Sequence, residues 1–379
     1  MTADAYDAIV IGAGPSGSTA AYACARAGLR TVLFEKSVFP RDKVCGGCLG
    51  ARGVGMLRDL GLGRALDRVS ISEMRALTLR SPRSHADIPV DPGRIVGRHS
   101  FDAALADEAH RAGAEFRDGA SVETIQQHSD RVALTVRTPS GRRETVTART
   151  VLNASGLSKI GSECGNGPRV ARESRIGVAA LVSDATTEYE PDVTHMHVIP
   201  DGYAGVVRLD GSTLNIACAV DPRATRDKGI TEFVRTAFRS TGAPIPQGLE
   251  DARWTGTPAL TRRRDRAAHG RVLNLGDAAG YVEPFTGEGM TWAIAGGAIA
   301  ADLVARWCDR EDFDLASAYQ RAHRRAISRR WRSCRLVRAA IRRPIVTDAA
   351  IRLASASSMF TRLAAHPFER PYDVAGVAS

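Results

Sequence analysis

The chain has 379 residues, of which 44% are apolar and 25% are charged. This length is enough for two domains with substantial cores, and the composition is ordinary for a soluble globular protein. The formal net charge is +10, but arginine supplies nearly all of the positive charge. We interpret this as a general compositional bias and expect no nucleic-acid partner.

The sequence predicts a cytoplasmic protein. Asp4 and Asp7 flank the start of the first apolar segment, so the basic and apolar pattern of a signal peptide is missing. The longest apolar stretch, residues 292–307, is short for a membrane span and contains Asp302. The seven cysteines are an odd and mostly scattered set, which fits a reducing compartment better than a disulfide framework.

Residues 7–36, DAIVIGAGPSGSTAAYACARAGLRTVLFEK, predict a strand, a glycine turn and a helix. The uncharged apolar run before Gly12 is typical of a strand that is buried on both faces. Gly12 would permit the tight turn, Gly14 the approach of a pyrophosphate, and Gly17 the close packing of the helix on the strand. The free N–H groups of the first helical turn would then bind the phosphates.

A second apolar run, residues 31–34, ends in Glu35, and Lys36 follows. A carboxylate at this distance from the glycines can accept hydrogen bonds from ribose hydroxyls. The alternative is an unoccupied glycine turn, for which Glu35 would be a coincidence. We therefore predict a dinucleotide site that includes both residues.

The loop FPRDKVCGGC, residues 39–48, contains a Cys-x-x-Cys pair. No second pair or nearby histidine in the sequence completes a tetrahedral zinc set, so we expect no metal. Arg41 and Lys43 would acidify a neighbouring thiol. Cys45 is thus a candidate proton donor, with a packing role equally weighted, whereas packing is the favoured role of Cys48.

The middle of the chain alternates between helical and strand-like patterns. Residues 94–113 predict the end of a strand followed by a helix that contains Arg98. Residues 132–136 and 145–147 predict a small antiparallel excursion, and residues 151–156 a returning strand and turn. A further sheet, with one face toward the cofactor, is predicted from residues 176–182, 195–199, 204–209 and 214–220.

A second motif, residues 271–290, decides between dinucleotides. A short apolar strand leads to Asp277, and a long alanine-rich helix starts near Gly287, Gly289 and Met290. Asp277 can bind a polyol chain, and the helix N-terminus can stabilise negative charge on a reduced flavin ring. FAD has a ribityl chain and NAD does not, so the two motifs together predict FAD. A helix-capping turn without a ligand is the alternative.

The two motifs together resemble those of the flavoprotein monooxygenase superfamily, and the Cys-Gly-Gly loop is similar to that of its geranylgeranyl reductase branch. The resemblance implies an α/β fold with a Rossmann-like FAD-binding domain like that of para-hydroxybenzoate hydroxylase, an inserted β-rich substrate domain and a helical C-terminal region. We expect FAD to be held non-covalently, because no attachment residue is recognisable near the flavin loops. The implied FAD-binding residues are Gly12, Gly14, Gly17, Glu35, Lys36, Arg41, Arg98, Val122, Asp277, Gly287, Gly289 and Met290.

The same resemblance implies a substrate pocket beside the flavin. Tyr203 matches an aromatic signature of the family and would be catalytic or, alternatively, a core tyrosine. Gly205 stands where the family has tryptophan, which would open room in the pocket. Pro284 and Phe285 would form the pocket floor, and Cys48 would line it.

The predicted domains follow from these assignments. The FAD-binding domain would comprise residues 1–75, 94–171 and 262–306, and the substrate domain residues 76–93 and 172–261. Residues 307–379 would form a helical region with breaks at Pro344, Pro367 and Pro371.

Residues 321–343 are strongly basic and contain interleaved apolar residues, namely Ile327, Trp331, Leu336, Val337 and Ile341. Such a segment would make weak contact with an anionic membrane or attract an acidic substrate. A solvated helical face is the favoured alternative.

We predict an FAD-dependent oxidoreductase that is reduced by NAD(P)H and acts on an apolar isoprenoid or polyketide-like natural product. The leading hypothesis is reduction of a carbon–carbon double bond, with hydride from reduced flavin and a proton from Cys45, Tyr203 or water. Ser155 replaces an aspartate that many relatives have, which leaves direct nicotinamide docking open. The alternatives are a monooxygenase that hydroxylates an aromatic natural product, and a flavin-bearing protein that binds membrane surfaces without turnover.

Overall fold

The computed structural model describes residues 6–160, 167–186, 188–226, 228–283, 285 and 287–356. These residues form two eight-stranded sheets and one three-stranded sheet, with helices packed around them. The strands are β1 (Tyr6–Ile11), β2 (Thr31–Phe34), β3 (Cys48–Leu49), β4 (Ser70–Ser81), β5 (Ser84–Val96), β6 (Glu115–Arg117), β7 (Ser121–Gln127), β8 (Val132–Arg137), β9 (Arg143–Asn153), β10 (Arg169–Val170), β11 (Ile176–Ser183), β12 (Val193–Ile199), β13 (Gly202–Arg208), β14 (Thr213–Val220), β15 (Thr255–Ala259), β16 (Arg262–Arg263), β17 (Ala268–His269), β18 (Val272–Asn274) and β19 (Gly280–Tyr281). The α-helices are α1 (Pro15–Arg26), α2 (Ala51–Asp59), α3 (Gly63–Asp67), α4 (Arg98–Arg111), α5 (Gly229–Ser240), α6 (Gly289–Arg310), α7 (Leu315–His323), α8 (Trp331–Ala340) and α9 (Pro344–Ala356).

The first sheet has β1 at its centre, paired in parallel with β2 on one side and β9 on the other. Its strands are continuous apolar runs because both faces are covered. Ala8 and Val10 face the core that contains α1 and α6, whereas Ile9 and Ile11 face the core under β7 and β8. The predicted strand, glycine turn, helix and second strand are therefore confirmed.

Strand β9 joins two segments that the sequence suggested as separate elements. Its first half pairs antiparallel with β8, and its second half pairs parallel with β1 and β18. One eleven-residue strand, Arg143–Asn153, thus contains both the antiparallel excursion and the return beneath the cofactor region.

The second sheet runs in the order β15-β11-β14-β13-β12-β4-β5-β3. Strands β11 to β14 confirm the four strands predicted between residues 176 and 220. One face packs against α5 through an apolar core that includes Phe233 and Phe238. The opposite face carries a second apolar cluster, the substrate-side cluster, whose members are Leu77, Leu79, Leu157, Met196, Val198, Tyr203, Ala219, Leu260, Tyr281, Phe285, Val337 and Ile341.

As far as residue 356, where the described residues end, the C-terminal region is helical as predicted. A single π-helical turn, Arg324–Ser328, lies between α7 and α8. Pro344 begins α9 and so separates two helices, as suits a residue without an N–H group; Pro367 and Pro371 lie outside the described residues. No helix among the described residues is both long and apolar enough to cross a bilayer.

Candidate active site

The first glycine turn leaves no space for side chains at two of its three glycines. Gly12 has a φ of 94°, and a Cβ on it would lie 2.6 Å from the carbonyl oxygen of Ala154. A Cβ on Gly17 would lie 1.9 Å from the carbonyl oxygen of Gly12. Backbone contact therefore fixes β1, α1 and the end of β9 relative to one another.

Gly14 differs from the other two glycines because a Cβ there would meet only side chains. The nearest atoms would be Nη2 of Arg98 at 3.7 Å and Nη2 of Arg41 at 4.0 Å. The space beside the N-terminus of α1 is thus bounded by two guanidinium groups. A helix N-terminus beside two cations is suited to a pyrophosphate.

Asp102 holds both guanidinium groups. Its side chain is fully buried and accepts two hydrogen bonds of 2.7 Å from Arg98 and one of 2.7 Å from Arg41. Burial opposes the charge on Arg98, but the Asp102 carboxylate outweighs burial and raises the pKa of Arg98. Both arginines, which the sequence predicted as FAD-binding, are therefore positioned as charged groups.

The two oxygens of Glu35 bind the backbone beside the glycine turn. One accepts a hydrogen bond from the N–H of Ala13 at 3.0 Å, and the other from the N–H of Ser37 at 3.1 Å. Arg41 lies 3.6 Å away. Glu35 thus braces the turn, and a ribose contact remains a prediction. Lys36 is exposed.

Val122, which was predicted to bind FAD, is a core residue of the first sheet. It is buried in β7, pairs with Val136 and packs into the core beneath the first sheet. The side chain therefore serves packing, and any cofactor contact would fall to its backbone.

The second motif places Asp277 near three cations. Burial raises the pKa of Asp277, and the charges of Lys43, Arg98 and Arg262 oppose that rise. Burial correspondingly lowers the pKa of Lys43, which Asp277 opposes. A carboxyl group with these neighbours can bind hydroxyl groups of a polyol.

Helix α6 starts at Gly289, with Met290 buried in its first turn, and Gly287 just before it has a φ of 72°. Farther along α6, a Cβ on Gly297 would lie 2.3 Å from the carbonyl oxygen of Ser16 in α1. The helices that follow the two motifs therefore touch through their backbones. Two helices whose contacting residues are 281 positions apart in sequence thus form one rigid unit.

The loop that contains Cys45 connects the two sheets. Asn215 of β14 donates a hydrogen bond of 2.9 Å to the carbonyl oxygen of Cys45, and Gly47 takes a φ of 74°. The Cys45 thiol lies near enough to Arg98 to interact with its guanidinium group. Of the two cations predicted beside the thiol, Lys43 interacts with Asp277 and Arg41 forms an ion pair with Asp102.

Cys48 lies on the substrate side of this loop. Its Sγ is 3.1 Å from Oγ1 of Thr194. Burial raises the pKa of the Cys48 thiol to about 11, although the Thr194 contact acts in the opposite direction. Cys48 is therefore a protonated thiol at neutral pH, in agreement with the packing role favoured from sequence.

Tyr203 and Phe285 meet in the substrate-side cluster. Their ring centroids are 5.1 Å apart at an interplanar angle of 86°. The guanidinium carbon of Arg175 lies 5.8 Å from the Tyr203 ring centroid, and Arg175 donates a 3.0 Å hydrogen bond to Glu283. Burial, reinforced by Glu283, raises the pKa of Tyr203. The Tyr203 phenol therefore keeps its proton at neutral pH.

Gly205 does not open room in the way that the sequence suggested. A Cβ on Gly205 would lie 3.0 Å from Sδ of Met196 on the neighbouring strand β12. A methionine side chain therefore lies where the loss of the family tryptophan predicted free space. No local sequence pattern indicates this compensation, because it depends on the pairing of β12 with β13. Pro284 lies outside the described residues.

Sequence reasoning missed Tyr281 and Arg175. Tyr281 follows Asp277 by four residues and belongs to the substrate-side cluster. Burial raises its pKa, and Asp277, Tyr203 and Cys45 act in the same direction, so Tyr281 connects the second motif to the substrate side. Its position in the Gly-Asp-Ala-Ala-Gly-Tyr sequence was the available signal; Arg175 had none.

These observations define the class of protein. A glycine turn with two fixed arginines, a partly buried carboxyl group that suits a polyol, and a rigid connection between them fit a flavin dinucleotide. The chain belongs to the family described as FAD binding domain, which matches residues 5–330. It is an FAD-dependent oxidoreductase, and its sequence is similar to those of geranylgeranyl reductases.

Curated relatives include a geranylgeranyl diphosphate reductase from Rhodobacter capsulatus, which is 29% identical over 314 residues that cover 78% of this chain and 74% of the relative. A menaquinone reductase from Mycobacterium tuberculosis is 29% identical over 328 residues, covering 79% and 77%.

Among solved structures, a geranylgeranyl bacteriochlorophyll reductase-like protein from Thermoplasma acidophilum superposes with a TM-score of 0.82 at 20% identity, over 98% of this chain and 97% of that one. Flavin-dependent halogenases and a p-nitrophenol monooxygenase share the fold at 20% identity or less. Likeness at this level shows the fold alone.

Proposed function

We propose that the protein uses NAD(P)H to reduce a carbon–carbon double bond in an apolar isoprenoid or polyketide-like natural product. The observation that carries this proposal is the substrate-side cluster, an apolar wall that includes the protonated phenol of Tyr203. An apolar wall suits a hydrocarbon substrate, and a neutral phenol is a proton donor. The names of the relatives, which refer to geranylgeranyl diphosphate and menaquinone, support the same substrate class.

Different residues would act at the FAD end and at the substrate end of the site. Arg41 and Arg98 would hold the pyrophosphate of FAD, and Asp277 its ribityl chain. When bound, FAD supplies hydride chemistry. Tyr203 would hold a proton at its hydroxyl and donate it to the substrate carbon next to the one that receives hydride.

The surroundings of Tyr203 support this role. Phe285 contacts its ring edge to face, and Arg175, fixed by Glu283, lies near the same ring. These contacts restrict the orientation of the phenol. The apolar neighbours, among them Met196 and Ile341, exclude water, so that proton transfer would favour the substrate.

Anaerobic turnover tests the proposal. We expect the FAD-loaded protein to oxidise NADPH and reduce geranylgeranyl diphosphate or menaquinone in the absence of oxygen, with the saturated product detected by mass spectrometry. Turnover that stops without oxygen and yields a hydroxylated product would overturn the reductase proposal in favour of the monooxygenase.

The Tyr203→Phe variant tests the proton donor. We expect it to slow product formation at least about tenfold, while flavin content and flavin reduction by NADPH stay unchanged. Tyr189→Phe is the matched control, because Tyr189 is a buried tyrosine that packs on the opposite face of the same sheet and donates a hydrogen bond to the carbonyl oxygen of Pro244. Equal loss in both variants would contradict the role of Tyr203.

A further inference from the structure

Helix α9 buries its polar face and exposes its apolar face. At 100° per residue, Ile345, Val346, Ala349 and Leu353 lie within one 100° arc. Ile345 is 80% exposed, Val346 41% and Leu353 51%. The opposite side contains Thr347, Asp348 and Ile351, which are buried against the β4–β5 hairpin.

The buried polar residues of α9 have partners there. Ser81 donates a 2.6 Å hydrogen bond to Asp348, and Thr347 donates one of 3.2 Å to the carbonyl oxygen of Ala340. These contacts fix the rotation of the helix. The apolar face is therefore held toward the outside by specific hydrogen bonds.

Helix α8 has an outer face of similar character. Cys334 and Val337 lie on its inner side, where Val337 joins the substrate-side cluster. On its outer side Leu336 is 73% exposed and has Arg332 and Arg335 as exposed neighbours. Four of the nine large apolar side chains exposed among the described residues thus lie on α8 and α9.

The charge within this part of the sequence is almost entirely positive. Residues 321–352 contain eleven arginines and one carboxylate, Asp348, which faces inward. Within the part of the chain that the structure describes, Arg332, Arg335 and Arg343 form no ion pair with a carboxylate. We use the name basic-apolar surface for the exposed residues Arg332, Arg335, Leu336, Arg343, Ile345, Val346 and Leu353.

We propose that the basic-apolar surface docks onto an anionic lipid bilayer. Exposed leucine, isoleucine and valine side chains would enter the acyl boundary, while arginines reach the headgroup phosphates. A symmetric contact with a second copy of the chain would place two sets of arginines against each other, which charge disfavours. A polyanion without an apolar phase would leave Ile345 and Leu353 in water.

Docking through this surface has a consequence for the site. Helix α8 separates the bilayer from the substrate-side cluster, which it contacts through Val337, and Ile341 directly after it belongs to the same cluster. The apolar wall of the site would then lie one helix away from the lipid. The assay below measures binding rather than turnover, so its outcome is independent of the reaction proposed above.

Vesicle co-sedimentation of the FAD-loaded full chain tests the proposal. We expect binding to phosphatidylcholine vesicles that contain about 30% phosphatidylglycerol, weakening as salt rises from about 0.05 to about 0.5 M, and little binding to phosphatidylcholine alone. The I345D/L353D and R332Q/R335Q/R343Q variants should each lower the partition coefficient at least about tenfold. Flavin content and thermal unfolding would show that the variants are folded.

Matched controls alter similar residues elsewhere. Leu181→Asp changes a leucine that is 55% exposed on β11, and R142Q/R169Q removes two exposed arginines from other surfaces. These should bind vesicles like the parent protein. The proposal is overturned if the parent protein does not bind anionic vesicles at low salt, or if controls and test variants lose binding equally. It is also overturned if binding requires removal of residues 357–379. The same holds if the parent protein forms a dimer that does not bind vesicles and the L353D substitution dissociates that dimer.

Discussion

The first glycine turn and the substrate-side cluster, which forms the apolar wall around Tyr203, are built in different ways. At the turn, backbone meets backbone, and a Cβ on Gly17 would lie 1.9 Å from a carbonyl oxygen. At the wall, side chains from four or more separate elements meet, and a Cβ on Gly205 would lie 3.0 Å from the flexible end of Met196. The cofactor end is therefore rigid and specified by few residues, whereas the substrate end can adapt.

The largest expected effect would come from Gly17→Ala. The added methyl group must displace the backbone of Gly12, so we expect loss of more than about 4 kcal/mol in the free energy of unfolding, or failure to fold. Soluble yield and chemical denaturation would measure this effect. Gly55→Ala is the control, because a Cβ there meets nothing within 4 Å and alanine favours a helix.

Gly14→Ala separates folding from binding within the same turn. Its Cβ would stay 3.7 Å from Arg98, so we expect a folded protein with weaker FAD affinity. A variant as unstable as Gly17→Ala would break the distinction between the two glycines.

Asp102→Asn comes next in size. The substitution removes the charge that holds Arg41 and Arg98 and leaves two partly buried guanidinium groups without their carboxylate. We expect a destabilisation of about 3 kcal/mol and weaker FAD binding, measured by thermal unfolding and flavin fluorescence. An unchanged FAD affinity would show that the arginines do not need Asp102 for their position.

The comparison also applies to the helices beside this wall. His323 lies at the end of α7, and its ring is 5.7 Å from that of Trp331 at the start of α8. Burial lowers the pKa of His323 to about 4, below the value of about 6.5 expected in an unfolded chain. Between these values the unfolded state holds a proton that the folded state lacks, so stability falls as the pH drops through this window.

Relative to His323→Phe, which keeps a ring in place, the parent protein should lose up to about 3 kcal/mol on going from about pH 7 to about pH 4. Denaturation curves of both proteins across this range would measure the difference. Parallel pH profiles would contradict the assignment of this loss to His323.

The smallest effect is expected from Gly205→Ala. The end of the Met196 side chain can move, so the free energy of unfolding should change by less than about 1 kcal/mol. We expect a clear change in substrate preference, measured as the ratio of kcat/KM values between isoprenoids of different length, alongside this small change in the free energy of unfolding. A loss as large as that of Gly17→Ala would show that the wall is as rigid as the turn.

The same difference explains what the sequence could predict. The β1–α1–β2 unit and the four strands β11 to β14 were found because local spacing defines them. Family resemblance pointed to Arg98 near the pyrophosphate, whereas the place of Arg41 beside Gly14 came from the structure. Met196 beside Gly205 and Arg175 beside Tyr203 depend on strand pairing and on loops distant in sequence, which no local pattern encodes. The sequence pattern indicated two segments where the structure has the single strand β9. The reason is that the residues of β9 change from mainly polar to apolar halfway along the strand.

The contact between Gly297 and Ser16 joins the two parts of the cofactor-binding unit directly. Because α1 and α6 touch through their backbones, the cofactor-binding unit keeps its geometry independently of the strands inserted between its parts. Substitutions that retune the inserted wall for new compounds can therefore accumulate without loosening the redox centre. Substrate specificity can change in this way while the geometry of the FAD site is kept.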